Sequence, residues 1–144
     1  MKTTNLKTAA ITALFGIGLL AGCTNSTTNQ KTSDMKTLNL TQEWDKTFPQ
    51  SDKVNHSKVT FTNRYGITLA ADMYVPKNAT GKLPAIAVCG PFGAVKEQAA
   101  GLYAQTMAER GFLTVAFDPS YTGESGGEPR YVVSPDINLS LIHI

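Results

Sequence analysis

The residues with the most chemical potential in this sequence are Gly123-Glu124-Ser125-Gly126-Gly127, a literal G-x-S-x-G. In that pattern a serine hydroxyl sits on a sharp turn directly between a strand and a helix, poised to attack an acyl carbonyl. Here the preceding extended run ends at Asp118, and Gly126-Gly127-Glu128-Pro129 is a poor start for a helix. Ser125 is therefore expected to shape a glycine-rich loop, not to act as a nucleophile. Asp118, at the end of its strand, is expected to hydrogen-bond its own loop. Metal ligation needs clustered Cys, His or carboxylate side chains. His56 and His143 are far in sequence from Cys23 and Cys89 and from each other, so no metal and no other cofactor is expected. Cys89, inside an apolar run, reads as a buried small hydrophobe, and a disulfide to Cys23 is not expected. His56 reads as a surface residue ahead of the first strand.

These residues need elements to hold them. Val59 and Phe61 alternate with polar neighbours, Asn63-Arg64-Tyr65-Gly66 supplies turn chemistry, and residues 68–75 resume the extended pattern. The pattern predicts a β-hairpin in which Gly66 takes a positive φ. Pro84-Ala85-Ile86-Ala87-Val88-Cys89 is apolar without alternation, as in strands buried on both faces of a parallel sheet. Gly90-Pro91-Phe92-Gly93 breaks that run, its glycines permitting a tight strand-to-helix turn. Val95, Ala99, Leu102, Thr106 and Met107 then recur at helical spacing. Glu97 falls in the first turn of this helix, Arg110 in its last, and Gly111 stands where a helix ends. Residues 112–117 form a second buried strand. A hairpin followed by strand, helix and strand implies an α/β fold with a mixed sheet, the last two strands being parallel.

The same residues resemble the opening of the α/β-hydrolase superfamily, especially bacterial members related to dienelactone hydrolases, cocaine esterases and X-Pro peptidases. Residues 59–72 resemble its first hairpin, and residues 83–93 its third strand and oxyanion loop. Phe117-Asp118-Pro119-Ser120-Tyr121-Thr122-Gly123-Glu124-Ser125-Gly126-Gly127 resembles the loop after its fourth strand. The commoner form of that loop is D-x-R-G-x-G-x-S-x-G, and here Ser120 and Tyr121 stand in place of Arg-Gly. The resemblance implies acyl transfer to a serine-type nucleophile, assisted by a histidine and an acid, with main-chain N–H groups stabilising the oxyanion. One such donor comes from the loop after the third strand. Pro91 has no N–H, which leaves Phe92 and then Gly93 as the candidates. Asp118, Tyr121 and Ser125 would belong to a loop beside the site. The nucleophile elbow and a late histidine follow these elements in the family, so residues 56–138 are expected to be the N-terminal part of a hydrolase domain with an incomplete sheet, inactive alone.

The first residues read as an address. Lys2 and Lys7 precede an apolar stretch from Ala9 to Ala21, too short for the roughly 20 residues that span a bilayer and fitting the h-region of a signal peptide. It ends in Leu20-Ala21-Gly22-Cys23, which resembles the bacterial lipobox. Cleavage after residue 22 and lipidation of Cys23 are expected, giving an exported, membrane-anchored protein. Thr24 after the cysteine fits the outer membrane, periplasmic side, if the source has two membranes. Residues 23–55 form a polar tether and a pre-domain segment, with a short helix expected near residues 38–48.

At the other end, residues 139–144 depart from the family pattern and resemble translated sequencing adapter. The net charge of +2 is small, and no basic patch interleaved with aromatics supports nucleic-acid binding. The sequence thus points to a hydrolase of small-molecule esters, lactones or amides, represented by its first part. The alternative is a lipid-anchored binding or scaffold protein that keeps half of a hydrolase sheet.

Overall fold

The computed structural model describes residues 37–141; the expected signal peptide, Cys23, most of the tether and His143 lie outside the described residues. Asn63 organises the first turn. Its side-chain Oδ1 accepts from the main-chain N–H groups of Tyr65 and Ile67, both at 3.0 Å, and its carbonyl accepts from Gly66, whose φ is +76°. The turn joins β1 (Val54–Thr62) to β2 (Thr68–Pro76) as an antiparallel hairpin in register from Val54↔Pro76 to Thr62↔Thr68. β1 therefore begins at Val54, ahead of the alternation that starts at Val59, and His56 lies inside it. β3 (Ala85–Cys89), α1 (Ala99–Glu109) and β4 (Leu113–Phe117) follow, and a one-and-a-half-turn helix, α2 (Pro135–Ser140), comes last.

The sheet order is β1-β2-β4-β3, with β3 and β4 parallel and the other two pairs antiparallel. Leu69, Ala70, Ala71 and Tyr74 of β2 and Ala116 of β4 are fully buried, placing the core along the central strands. Helix α1 packs on this sheet, where its Ala104 and Ala108 join Val54, Tyr74 and Ala116 in the core, while its buried Gly101 and Gln105 meet the segment before β1. The helix expected from the spacing of Val95, Ala99, Leu102, Thr106 and Met107 is present, but a different face of it is buried, and Leu102 is 46 % exposed. Close approach of a helix to a sheet selects small side chains at the contact, and the Thr114 hydroxyl donating to the Ala104 carbonyl at 2.8 Å fixes it. Glu97 stands before the helix, not in its first turn. Gly111, at φ +100°, ends it.

Two further expectations are corrected. Residues 38–48 form no helix; they run as an irregular strap across the domain. Phe48 packs against Gly101, the Trp44 indole N–H donates to the Phe48 carbonyl at 2.8 Å, and the Thr47 N–H donates to the Glu97 carbonyl at 3.0 Å. A short isolated helix is costly to nucleate, and these tertiary contacts order the strap without one. β3 is not buried on both faces. It is the edge strand among the described residues, and Ala85, Ala87 and Cys89 are exposed. No described helix is long and apolar enough to cross a membrane.

Candidate active site

The parallel pairing of Cys89 with Phe117 brings the ends of β3 and β4 together, so the loops that follow them leave the sheet side by side. Ligand sites of open α/β sheets form at this carboxyl edge. A cavity of about 250 Å³ lies there, lined by Gly90, Pro91, Phe92 and Gly93 from one loop and by Phe117, Pro119 and Thr122 from the other. None of the residues lining it carries a charged side chain. Phe92 is 81 % exposed and Gly93 takes φ +80°. The loop turns through the Ala94 N–H, which donates to the Pro91 carbonyl at 3.0 Å. Among the described residues, neither the Phe92 nor the Gly93 N–H donates to a protein acceptor.

The structure places Ser125 away from any such exposed position. It is 2 % exposed, its hydroxyl donates to the Asp118 carbonyl at 2.8 Å, and it accepts from the Ala70 N–H at 2.9 Å. It thereby staples the 118–127 loop to β2. Tyr121 adopts φ +70°; its N–H donates to the Gly126 carbonyl at 2.8 Å and its carbonyl accepts from Tyr131. Where the commoner family loop has arginine, the Ser120 hydroxyl accepts from the buried Asn63 amide at 3.1 Å, tying the loop to the hairpin turn.

Asp118 does more than hydrogen-bond its own loop. It is fully buried, accepts from the Glu124 N–H at 3.0 Å, and takes both the main-chain N–H (2.7 Å) and the ammonium (2.8 Å) of Lys96. Lys96 also contacts Glu97 and Glu124, and Glu124 passes the connection to Lys58, which reaches Asp45 at 2.8 Å. Lys46 then links Asp45 to Asp72, the latter at 3.1 Å, and Asp72 meets His56 Nε2 at 2.8 Å. His56 is thus a half-buried partner of a buried carboxylate and not a surface residue. Asp45, Glu97 and Glu124 come within 4.8 Å of one another, with lysine ammonium groups between them.

Burial alone would push the Asp45 and Glu124 carboxyls up. Hydrogen bonds from Lys46 and Lys58 outweigh it at Asp45, those from Lys58 and Lys96 outweigh it at Glu124, and both are held at about 2. Burial likewise disfavours the Lys96 ammonium, but its hydrogen bond to Asp118 wins and the group is raised above the ordinary lysine value. Cys89 lines the same cavity as an exposed thiol, not as a buried hydrophobe; desolvation and the Asp118 charge push its pKa up.

Sequence reasoning missed Lys58, Lys96 and Glu124. Lysine is ordinarily a surface residue, and nothing in the local pattern marks Lys96 as 1 % exposed. The one available signal is that Lys96 interrupts a run otherwise made of small and apolar residues, 89–95.

A mixed sheet in the order β1-β2-β4-β3 with a loop site at its carboxyl edge defines an α/β-hydrolase. The profile of the X-Pro dipeptidyl-peptidase (S15) family matches residues 65–138, and the chain belongs to that family. It is 70 % identical over 124 residues to the uncharacterized protein PA2218 of Pseudomonas aeruginosa, covering 83 % of this chain and 33 % of that one. A crystal structure of PA2218 superposes with a TM-score of 0.72 at 74 % identity, over 74 % of this chain and 34 % of the other. The Escherichia coli protein YcjY is 49 % identical over 86 residues, 57 % of this chain and 28 % of its own length. The α/β-hydrolase GrgF from Penicillium superposes with a TM-score of 0.54 at 29 % identity, over 62 % of this chain and 30 % of that one. The chain spans about a third of the length of the curated relatives it matches.

Proposed function

We propose that this chain supplies the oxyanion side of a serine-type hydrolase acting on small-molecule esters, lactones or amides. The observation that carries the proposal is the 90–93 loop. It follows a parallel strand at the carboxyl edge, keeps the Phe92 and Gly93 N–H groups free of protein acceptors, and borders a cavity without charged side chains. Donors of this kind lower the barrier by stabilising the tetrahedral oxyanion, and losing one costs about 10²- to 10³-fold in rate. The uncharged lining suits a neutral, largely apolar acyl group beside the donors. The nucleophile and histidine of this reading belong to the complete protein, outside this chain, because Ser125 is engaged in holding its loop.

The full-length gene product should hydrolyse p-nitrophenyl esters and react with a fluorophosphonate at a serine outside residues 1–144. A full-length protein that does neither defeats the reading. The lipobox-like Leu20-Ala21-Gly22-Cys23 supports export and lipid anchoring through Cys23, stable because more than one acyl chain would be attached there. Metabolic labelling with palmitate should mark the wild type and be lost in Cys23→Ser; equal labelling of both would refute the anchor.

A further inference from the structure

Nothing in the side chains of Gly90, Pro91, Phe92 and Gly93 can anchor their loop by charge or hydrogen bond. It is anchored three residues on. The Lys96 main-chain N–H donates to Asp118 Oδ1 at 2.7 Å, and the Lys96 ammonium donates to Oδ2 of the same carboxylate at 2.8 Å. Lys96 is 1 % exposed and Asp118 is fully buried. Because Asp118 leaves β4 beside the end of β3, this two-point clamp joins the loop bearing the oxyanion candidates to the loop across the cavity. The second loop closes over the carboxylate. Gly123 sits at φ +54° with room for no side chain, since an added Cβ would lie 2.2 Å from Asp118 Oδ2, and the Glu124 N–H donates to that oxygen at 3.0 Å.

We propose that Asp118 and Lys96 are positioning residues of the reaction, with the bond from the Lys96 N–H to Asp118 Oδ1 setting where the Phe92 and Gly93 donors stand. The inference rests on the oxyanion reading above and adds the part that holds the donors. Neither residue lines the cavity, so neither is assigned contact with substrate. The clamp matters because the donors must lie within hydrogen-bond reach of the developing oxyanion.

Two double variants of the full-length protein test it. D118N/K96M and D118A/K96M both remove the buried charge pair together, which avoids leaving one buried charge alone. Only the first keeps a side-chain oxygen able to accept from the N–H of residue 96. With p-nitrophenyl ester as substrate, and below the unfolding temperature of every variant, kcat of D118A/K96M should fall by about 10²-fold with KM within about twofold, the loss expected of a ~1 Å misplacement. D118N/K96M should stay within about fivefold of wild type, its acceptor preserving the donors' alignment. A merely structural role predicts equal kcat for the two folded variants, and that result overturns the proposal. Should D118A/K96M not fold, D118N/K96M still decides: a folded protein with kcat down by about 10²-fold despite the retained acceptor refutes the clamp, and near-wild-type kcat upholds it. If the wild-type enzyme hydrolyses nothing, the proposed function fails, and amide hydrogen exchange at the main-chain N–H of residue 96, the clamp's own donor, tests the clamp separately. Faster exchange in D118A/K96M than in D118N/K96M supports it, and equal exchange overturns it.

Discussion

The Ser125 hydroxyl satisfies two main-chain groups, the Ala70 N–H and the Asp118 carbonyl, in a region closed to solvent. Removing it strands both, and a buried unsatisfied group costs about 1–3 kcal/mol. Ser125→Ala should therefore lower the urea midpoint by an amount equivalent to about 1–3 kcal/mol, and peptide mapping after fluorophosphonate treatment of the wild type should find Ser125 unmodified. Gly123 is the more severe position. A methyl group there meets the Asp118 carboxylate, and the backbone already stands at a φ that favours glycine. Gly123→Ala should destabilise by about 2–4 kcal/mol, a mechanism at the large end of single-residue effects, measurable as a fall in thermal midpoint.

Aromatic contacts of Trp44 and Phe48 and a line of charges hold the strap. Phe48 lies against Gly101, where an added Cβ would fall 2.3 Å from the Lys96 carbonyl and 3.1 Å from the phenyl ring. Asp45, in the strap, and Glu124, in the loop after β4, share the Lys58 ammonium. Both carboxyls are held at about 2 in the folded chain, below their ordinary values of 3.8 and 4.5. A depressed folded-state value means stabilisation that is fully present above the unfolded-state value and is lost as pH falls toward the folded one. Urea midpoints of wild type and Glu124→Gln should thus differ most at neutral pH, and the gap should close between about pH 4.5 and pH 2. A gap that persists unchanged at pH 2 would contradict the ion-pair account.

At the scale of the described residues taken together, β3 has a neighbouring strand on one side only. Unpaired N–H and C=O groups along a strand invite pairing with another chain, and a lysine on the edge discourages it. Ala87 is exposed at the middle of β3. In the 1–144 chain, Ala87→Lys should reduce self-association in light scattering without lowering the thermal midpoint; unchanged association would show that the edge is not the adhesive surface. Residues 85–89, a run without alternation, are exposed at alternate positions in the described residues, because such a run is buried only where something covers both faces.

What the sequence determined by itself is local. Gly66, Gly93 and Gly111 stand where the backbone turns with positive φ, Asn63 organises its turn through its own side chain, and the hairpin, the βαβ order and the turn at residues 90–93 could be placed from pattern alone. The expectation that Ser125 shapes its loop came from the end of its strand at Asp118 and the poor helix start in residues 126–129. Only the tertiary structure decided which face of α1 is buried, that the strap crosses the sheet without a helix, that His56 meets Asp72, and that Lys96 turns inward to Asp118. The reason is range. Turns and periodicities are set by neighbours within a few residues, whereas partners such as Lys96 and Asp118, or Lys58 and Glu124, are 22 and 66 residues apart. The buried charges of Lys96 and Asp118 stand opposite each other, since one left alone away from water would be strongly destabilising.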